Sequence, residues 1–348
     1  MLKVVRLDKD TEEDYMKFVE SHRDSLLFHT LKYRNLILKI TNSLPEYLIA
    51  CDDGEIKGVL PLMIKEGPYG KVINSLPYYG SNGGILSVCT TAKEMLMECY
   101  NQMVIKKEYI SSVVVLNPFD PNLINNKFLN NEIDFRIGQI TFLRSDYTDI
   151  EDLIIDFHTK TRNMIRKALK SDVKVKVEND QWEFLKRTHI ENMRKINGKS
   201  KSDDFFKYSK DVFSAGKDYN IFVARKGNKI ISALLVFYFG NTIEYYMPVI
   251  DQEYRSLQPL SLAISVAMLD GSSKGFEKWN WGGTWESQEG VYRFKSRWNT
   301  IDYKYHYMIY INKKEVYNCS IKLLESNYEG FYVVPYDKLI YEEDHKNE

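Results

Sequence analysis

The sequence predicts an α/β protein with a mixed sheet, built from two copies of one domain. Its clearest unit begins with the β-branched and aromatic run 242–250, which is typical of a strand. An apolar helical stretch follows from Pro259, and a second strand follows at 276–281. A strand, a helix and a strand in succession form a crossover, which places the two strands parallel in one sheet. At 348 residues, the chain has the length of two ordinary domains.

A repeated hairpin supports the duplication. Residues 47–64 form two apolar runs around an Asp-Gly turn, and residues 221–236 form two more around Gly227. Three residue pairs share one offset of 174: Ala50 and Ala224, Ile56 and Ile230, Leu60 and Leu234. The order strand, loop, helix, strand follows each hairpin, which indicates an internal repeat rather than a chance match of two common hairpins. We therefore predict domains at 1–148 and 149–348, with the boundary in the polar stretch 145–151.

The remaining elements follow from apolar periodicity and turn residues. Helices are predicted at 10–23, 31–40, 92–105, 154–169, 182–193 and from Pro259 to Leu269, and Gly271 and Gly275 are expected to end the last one. Further strands are predicted at 113–116 and 172–177. The helix at 154–169 is strongly basic, which is typical of a solvated face or, alternatively, of a site for phosphate groups. Residues 197–203 are predicted to form a mobile loop.

Composition narrows the classes of function. Lysine plus arginine equals aspartate plus glutamate, at 48 each, so the net charge gives no attraction to DNA or another polyanion. The four cysteines have no metal-binding or disulfide spacing, so we expect no metal site. The first residues lack the apolar core of a signal peptide, and no run is long enough to cross a bilayer. These features predict a soluble, cytoplasmic protein.

Six motifs, in their order, resemble the FemAB-type transferases over residues 25 to about 305. They are HTLKYRNL, LIACDDGEIKGVLPLMI and LPYYGSNGGIL in the first half, and TRNMIRKALK, YYMPVIDQEYRSLQPLSLAISVAML and YRFKSRWN in the second. The resemblance implies two tandem GNAT-like domains packed around a shared groove, with the donor site in the second. It also implies transfer of an acyl or aminoacyl group onto an amine of a cell-envelope precursor, of peptidoglycan or surface-glycan type. The acceptor would be a nucleotide- or lipid-linked glycan or peptide, reached in part by transient contact with a membrane-bound precursor.

The donor implied by the family is aminoacyl-tRNA or acyl-CoA, with no bound cofactor. A CoA-binding GNAT protein carries a glycine-rich turn whose backbone N–H groups hold the pyrophosphate. Here that position contains Arg255, Ser256 and Gln258 as the predicted donor-binding residues, followed by Pro259, which lacks an N–H. This departure speaks against tight CoA binding, while the missing coiled-coil arm of some FemAB members speaks against tRNA. An acyl-CoA-dependent N-acyltransferase acting on an amino sugar, and a non-catalytic module that binds the precursor, are the alternatives.

The resemblance and the strand pattern together nominate the site residues. Lys295 matches the family's Phe-Lys motif and is predicted to be catalytic, as is Tyr246; a lysine on a helix surface is the alternative for Lys295. Substrate-binding residues are predicted in both halves: Arg162, Tyr79, Gly80, Tyr245 and Lys32. The amine must lose a proton before it attacks, and four carboxylates are candidates for the base: Glu244, Asp251, Glu286 and Glu289.

Overall fold

The computed structural model describes residues 1–75, 77–78, 83–120 and 127–339. The chain divides into two compact units. Unit 1 contains Met1–Arg136 together with Lys304–Glu348, and unit 2 contains Ile137–Tyr303. The predicted division at 148 differs from these units in two respects, since residues 137–148 belong with unit 2 and the C-terminal segment belongs with unit 1.

The described residues form both strands and helices. The strands are β1 Lys3–Arg6, β2 Leu44–Pro45, β3 Leu48–Asp52, β4 Glu55–Leu60, β5 Met63–Gly67, β6 Gly70–Asn74, β7 Leu86–Ser87, β8 Tyr109–Val115, β9 Glu132–Phe142, β10 Val173–Val177, β11 Tyr219–Lys226, β12 Lys229–Phe239, β13 Thr242–Ile250, β14 Lys278–Thr284 and β15 Thr300–Ile311. The helices are α1 Glu12–Ser21, α2 Leu31–Thr41, α3 Thr90–Val104, α4 Ile150–Ile155, α5 Thr159–Lys170, α6 Trp182–Lys195, α7 Asp203–Val212, α8 Pro259–Ser273, α9 Glu289–Ser296 and α10 Ile321–Asn327. Short 3-10 helices lie at Leu27–His29, Gln252–Leu257, Lys314–Asn318 and Tyr336–Lys338.

Unit 1 contains two groups of paired strands. One has the order β1-β3-β4-β7 and is antiparallel throughout. In the other, β2, β5 and β6 pair antiparallel, and β6 pairs parallel with β8 across the crossover that contains α3. The C-terminal half of β15 pairs with β8, which explains why the end of the chain belongs to this unit.

Unit 2 follows the same plan. Its strands have the order β10-β11-β12-β13-β14-β9, and the parallel pair β13 and β14 is connected by α8. The apolar side chains of α4, α5 and α8 pack on one face of this sheet around the buried Trp279, Trp281 and Trp298. Helix α6 packs on β12 and β13, and Phe205 of α7 stacks on a tyrosine of β13.

The two hairpins confirm the predicted repeat at the level of single residues. Ala50 lies opposite Gly58, and Ala224 lies opposite Ser232, which is the same register 174 residues later. Both registers then shift by one position, so that the next pairs are Cys51 with Ile56 and Arg225 with Ile230. A shared bulge at the same position is a specific feature, because bulges bend a strand locally. The mixed α/β fold with two similar halves is therefore confirmed.

Several predicted boundaries were wrong for local reasons. The helix predicted at 154–169 is two helices, because Phe157 turns into the core and His158 accepts a hydrogen bond from the N–H of Lys160 at the start of α5. Gly271 does not end α8, which continues to Ser273. Instead, α8 approaches β13 at this glycine, where an added Cβ would lie 2.1 Å from Cδ1 of Ile243. Strands β9 and β15 were not predicted. Within the described ranges, no helix has both the length and the apolar character needed to cross a membrane.

Candidate active site

The parallel strands of unit 2 separate after three residue pairs. Thr242–Glu244 of β13 lie opposite Lys278–Asn280 of β14, and beyond them β13 continues to Ile250 and β14 to Thr284 without further pairing to each other. Each strand keeps its other neighbour, β12 for β13 and β9 for β14. We call the diverging segments 245–250 and 281–284 the fork. A fork between parallel strands exposes backbone polar groups that a bound molecule can pair with.

Glu244 marks the point where the fork begins. Its side chain is buried, and the amide Nδ2 of Asn280 on the neighbouring strand donates to both carboxylate oxygens, at 3.2 and 3.0 Å. Burial raises the pKa of the Glu244 carboxyl to about 8, against the smaller opposing effect of the Asn280 hydrogen bond. The oxygen of the same Asn280 amide accepts the N–H of Gly282, which fixes the amide's orientation. Glu244 is thus a carboxyl group able to gain or lose a proton near neutral pH.

Lys295 is a buried amine beside the other strand of the fork. It lies on α9, only 6% exposed, and its Nζ donates to Thr284 Oγ1 at 2.8 Å and to the Gly283 carbonyl at 3.4 Å. Burial lowers the pKa of the Lys295 ammonium to about 8. The alternative of a lysine on a helix surface is therefore wrong. Its neighbour Phe294 packs on Trp281, which holds α9 against β14.

The two groups lie at opposite ends of one short segment. Glu244 is bonded to Asn280 and Lys295 to Thr284, and these two residues are four positions apart on β14, at most about 13 Å between Cα atoms. Both groups have a pKa of about 8: the pKa of Glu244 is raised from its ordinary value, and the pKa of Lys295 is lowered from its ordinary value. Strongly perturbed pKa values that cluster in this way are typical of catalytic sites.

Tyr245 and Tyr246 lie on the first two positions of the fork and point to different neighbours. Leu235 lies opposite Met247 and Val236 opposite Tyr245, so Tyr246 is an extra residue, a bulge in β13. Tyr245 packs on the indoles of the core, and burial raises its pKa above the ordinary range. Tyr246 contacts the rings of α7 and β12. The predicted alternation of the two tyrosines is present, and their roles stay predictions.

The predicted donor-binding residues lie at the start of α8. Arg255 and Ser256 are exposed in the 3-10 turn, and Gln258 has a left-handed backbone with φ of 60°. Pro259 occupies the first helical position, and the N–H of Ser261 is bonded to the Gln258 carbonyl at 3.1 Å. The first turn of α8 therefore offers fewer free N–H groups than a typical helix start.

The predicted substrate-binding residues lie in both units. Arg162 on α5 donates to the Ile155 carbonyl at the end of α4 and to Thr159 Oγ1 in the first turn of α5. Lys32 lies in the first turn of α2 in unit 1 and is partly buried. Tyr79 and Gly80 lie outside the described residues. Their roles in substrate binding stay predictions.

The other candidates for the base differ from Glu244. Asp251 is ion-paired with Lys229, while Glu286 and Glu289 are exposed. Among the four, Glu244 is the carboxyl group that is buried in the fork, and burial raises its pKa. One signal was visible in the sequence, since a glutamate in the run TIEYYMPVI is unusual for a buried strand.

Sequence reasoning missed the polar partners of these groups. Asn280 and Thr284 lie on either side of Trp281, Gly282 and Gly283, and their sequence context is that of ordinary strand residues. Lys201 was assigned to a mobile loop, yet its backbone N–H donates to Nε2 of the buried His189 at 3.1 Å. In the part of the chain that the structure describes, no group of three or more His, Cys, Asp or Glu is placed to hold a metal ion.

Comparisons with known proteins agree with this geometry. Residues 156–296, which contain the fork and both ionisable groups, match the family model described as an acetyltransferase (GNAT) domain. Similarity to solved structures extends over nearly the whole chain. FemX matches with a TM-score of 0.71 at 15% identity, covering 90% of this chain and 98% of its own. No curated protein sequence matches this chain significantly.

Two further solved structures have the same fold. The C-terminal domain of a putative lysylphosphatidylglycerol synthetase from Agrobacterium fabrum matches with a TM-score of 0.56 at 10% identity, covering 93% of this chain and 98% of that one. A tandem GNAT protein from the clavulanic acid biosynthesis pathway matches with a TM-score of 0.52 at 9% identity, covering 90% and 99%. At such identities the likeness shows the fold.

These similarities define the class of protein to which unit 2 belongs and the fold of the whole chain. The chain carries a GNAT acetyltransferase domain and has the fold of a tandem GNAT protein. FemX has the same fold over 90% of this chain, in agreement with the tandem GNAT-like architecture that the sequence predicted. The match to the GNAT acetyltransferase model supports an acyltransferase activity.

Proposed function

We propose that this protein transfers an aminoacyl or acyl group onto an amine of a cell-envelope precursor. The observation that carries the proposal is the fork of unit 2, which places a buried carboxyl and a buried amine along one strand segment. The acceptor would be a nucleotide- or lipid-linked glycan or peptide of peptidoglycan or surface-glycan type. The name of the putative lysylphosphatidylglycerol synthetase favours an aminoacyl group over a simple acetyl group.

The chemistry assigns one task to each group. The ionised carboxylate of Glu244 takes a proton from the ammonium of the acceptor, and the freed amine attacks the carbonyl carbon of the donor. A C–N bond forms, and the electron pair of the carbonyl moves onto oxygen. The Lys295 ammonium stabilises this oxyanion, in a site where low dielectric strengthens the attraction. The oxyanion then collapses and the bond to the donor's ester or thioester breaks. The leaving group takes up the proton that the attacking nitrogen loses, and Glu244 releases the proton it took from the ammonium to water.

The pKa values suit these tasks. A base is most effective when its pKa lies near the working pH, and Glu244 at about 8 holds a proton well while part of it stays ionised. Lys295 must carry its proton to stabilise negative charge, and at about 8 it remains largely protonated at pH 7. The buried surroundings that shift both values also exclude water from the acyl donor.

In the described part of unit 1, no comparable opening is present at the matching position. There β6 and β8 stay connected past their last pair, because Ser75 donates its N–H to the Val113 carbonyl and its Oγ accepts the N–H of Val115. The side-chain amide of Asn74, at the end of β6, bonds both the N–H and the carbonyl of Tyr332. The C-terminal segment thus covers the end of β6. This difference favours unit 2 as the donor site, as the sequence predicted.

The start of α8 bears on the donor. A pyrophosphate held in the usual GNAT manner needs several free N–H groups at a helix N-terminus. Here Pro259 has no backbone N–H, and the N–H of Ser261 already donates to the Gln258 carbonyl. We therefore favour aminoacyl-tRNA over acyl-CoA as the donor, with Arg255 available to a phosphate of either.

The test is a transfer assay on the full chain. Purified protein is incubated with tRNA charged with radiolabelled amino acids, or with labelled acetyl-CoA, and with UDP-linked cell-wall precursors. We expect label on the precursor amine from charged tRNA, and a loss of about 100-fold or more for Glu244→Gln. Lys295→Ala should lose at least about tenfold in turnover, and Glu286→Gln, an exposed control, should retain activity.

The outcomes separate the alternatives. Label from acetyl-CoA alone would replace the proposal with the acyl-CoA-dependent N-acyltransferase. Precursor binding without transfer from either donor would favour the non-catalytic module. Unchanged turnover of Glu244→Gln would remove this residue from the reaction.

A further inference from the structure

Helix α5 concentrates positive charge in a chain that has no net charge. Its residues Thr159–Lys170 include three lysines and two arginines and no carboxylate: Lys160, Arg162, Arg166, Lys167 and Lys170. Arg166 is ion-paired with Glu151 of α4 at 2.7 Å. Among the described residues, Lys160, Lys167 and Lys170 have no ion-pair partner. The carboxylates that flank the helix in sequence already have partners, since Asp156 accepts from the hydroxyl of Tyr147 and Asp172 pairs with Lys174.

The three lysines without a partner form an exposed row. Ile165 and Ala168 of α5 pack in the core, and Lys160, Lys167 and Lys170 are exposed on the side of the helix turned away from it. Spacings of seven and three residues place side chains on one side of a helix. Lys160 and Lys170 are about 15 Å apart along the helix axis. We call these three lysines the α5 row, and solvent reaches all of them.

This pattern is unfavourable for a helix that is only solvated. Arg162 and Arg166 are four residues apart, as are Arg166 and Lys170, and like charges at that spacing destabilise a helix. Lys160 also lies in the first turn, where the helix dipole disfavours a cation. A solvated helix face normally mixes acids with bases. A bound polyanion would relieve the repulsion, which favours the phosphate-binding alternative for this basic helix.

Helix α5 borders both parts of the proposed donor site. At its start, the N–H of His158 and the hydroxyl of Thr161 both donate to the carbonyl of Arg297, at 3.1 Å each, and Arg297 lies two residues after Lys295. Along its length, α5 packs on α8 and on the 3-10 turn Gln252–Leu257, where donor-binding residues are predicted. A large donor bound at the fork would therefore extend across α5.

The two faces of the sheet favour RNA over a membrane as the polyanion. Ile243 and Tyr245 of β13 pack in the core on the face that carries α5 and α8, so Glu244 between them points to the other face. The acceptor amine must reach Glu244, and the lipid or nucleotide that carries it would extend from that other face. The α5 row lies on the face of the donor, and the backbone of an RNA donor is a dense line of phosphates.

We infer that the α5 row binds the phosphate backbone of a tRNA donor and holds the RNA while its acylated 3′ end enters the fork. This inference rests on the proposed function for the class of donor. Lysine suits the role, because an ammonium on a flexible stem pairs with a phosphate without reading the base sequence. Over about 15 Å, the row meets several phosphates of one strand.

The experiment uses deacylated tRNA and two triple variants of the full chain. The row variant contains Lys160→Gln, Lys167→Gln and Lys170→Gln. The matched control makes the same change at three exposed lysines outside α5, as Lys106→Gln, Lys207→Gln and Lys210→Gln. Both variants lose the same charge, and glutamine has nearly the helix propensity of lysine. Fluorescence anisotropy gives the Kd of labelled tRNA from about 50 to 300 mM NaCl.

The row variant should bind tRNA at least about tenfold more weakly at the lowest salt, and the slope of log Kd against log salt should fall by about 2 to 3. The control should stay within about threefold of wild type, and the Tm of the row variant should be no lower than that of wild type. Equal weakening in both variants, or wild-type binding by the row variant, would overturn the inference. So would binding to phosphatidylglycerol vesicles that the row variant loses while its tRNA binding is unchanged.

Failure of this inference is distinguishable from failure of the proposed function. Binding of deacylated tRNA requires no transfer, so it is measurable in the Glu244→Gln chain as well. Transfer from charged tRNA with an unchanged KM in the row variant would leave the proposed function standing and overturn the role of the α5 row. Binding of tRNA that depends on the row, without transfer from charged tRNA, would support the surface and overturn the proposed donor.

Discussion

Glu244→Gln should make the protein more stable, by an amount that depends on pH. The carboxyl ionises at about 4.5 in the unfolded chain and at about 8 in the folded one. Between these values the folded state binds more protons, so the free energy of unfolding falls as pH rises. At pH 7, which is 2.5 units above the unfolded pKa, the ionisable carboxyl lowers the free energy of unfolding by about 3 kcal/mol, at 1.36 kcal/mol per unit. At pH 8 and above, this loss approaches about 5 kcal/mol.

Glutamine has nearly the shape of a protonated glutamate, so the substitution removes the ionisation without removing the packing. Its carbonyl oxygen can still accept from Asn280 Nδ2. We therefore expect no gain near pH 4.5, a gain of about 3 kcal/mol at pH 7 and a larger gain at pH 8. An imperfectly paired glutamine N–H would lower the free energy of unfolding of the variant by about 1 kcal/mol at every pH. The gains above are counted from that constant offset.

The assay is urea unfolding of wild type and variant at half-unit steps from pH 4.5 to 8. Glu286→Gln is the matched control, since the same change at an exposed position should stay within about 0.5 kcal/mol at each pH. A difference between Glu244→Gln and wild type that stays flat across this range would refute a buried carboxyl with a raised pKa. A difference that decreases with pH would show that the carboxylate is stabilised in the fold.

Two further predictions concern unit 2. Lys295→Met should raise the free energy of unfolding by up to about 3 kcal/mol at pH 7, because the folded pKa of about 8 lies below the ordinary 10.5. This gain should disappear between pH 8 and 10.5, and urea unfolding over that range measures it. A constant gain would contradict the shift. Gly271→Ala should lower the free energy of unfolding by about 1–3 kcal/mol, because its Cβ would overlap Ile243, and Gly290→Ala, with open space around it, is the control for thermal unfolding. Equal Tm values for both would contradict the close contact.

The sequence predicted those parts of the fold that local patterns determine. Strand β13 was predicted with the bounds that the structure has, because a β-branched run between polar turns has few alternatives. The hairpin repeat was found because a constant offset of 174 residues needs only local comparison. The same holds for the start of α8 at Pro259, where proline has a fixed backbone preference.

The parts that were missed depend on contacts between distant residues. Strand β9 pairs with β14 across more than a hundred residues, and β15 pairs with β8 across an even longer separation, so no local signal fixes either strand. The assignment of the C-terminal segment to unit 1 follows from the second of these pairings. Glu244 was one of four equal candidates for the same reason, because burial, which raises its pKa, is a property of the folded chain.

The two ionisable groups of the fork both oppose folding, and this is an argument for function. Near pH 8 the burial of Glu244 costs about 5 kcal/mol and that of Lys295 about 3 kcal/mol, if the two act independently. Ordinary domains have a net stability of only about 5–15 kcal/mol, so these costs are large. Glutamine in place of Glu244 and methionine in place of Lys295 would fill the same space without these costs. A sequence that keeps an acid and an amine at this point of the sheet gives up stability for chemistry that only ionisable groups perform, and proton transfer with oxyanion stabilisation is chemistry of that kind.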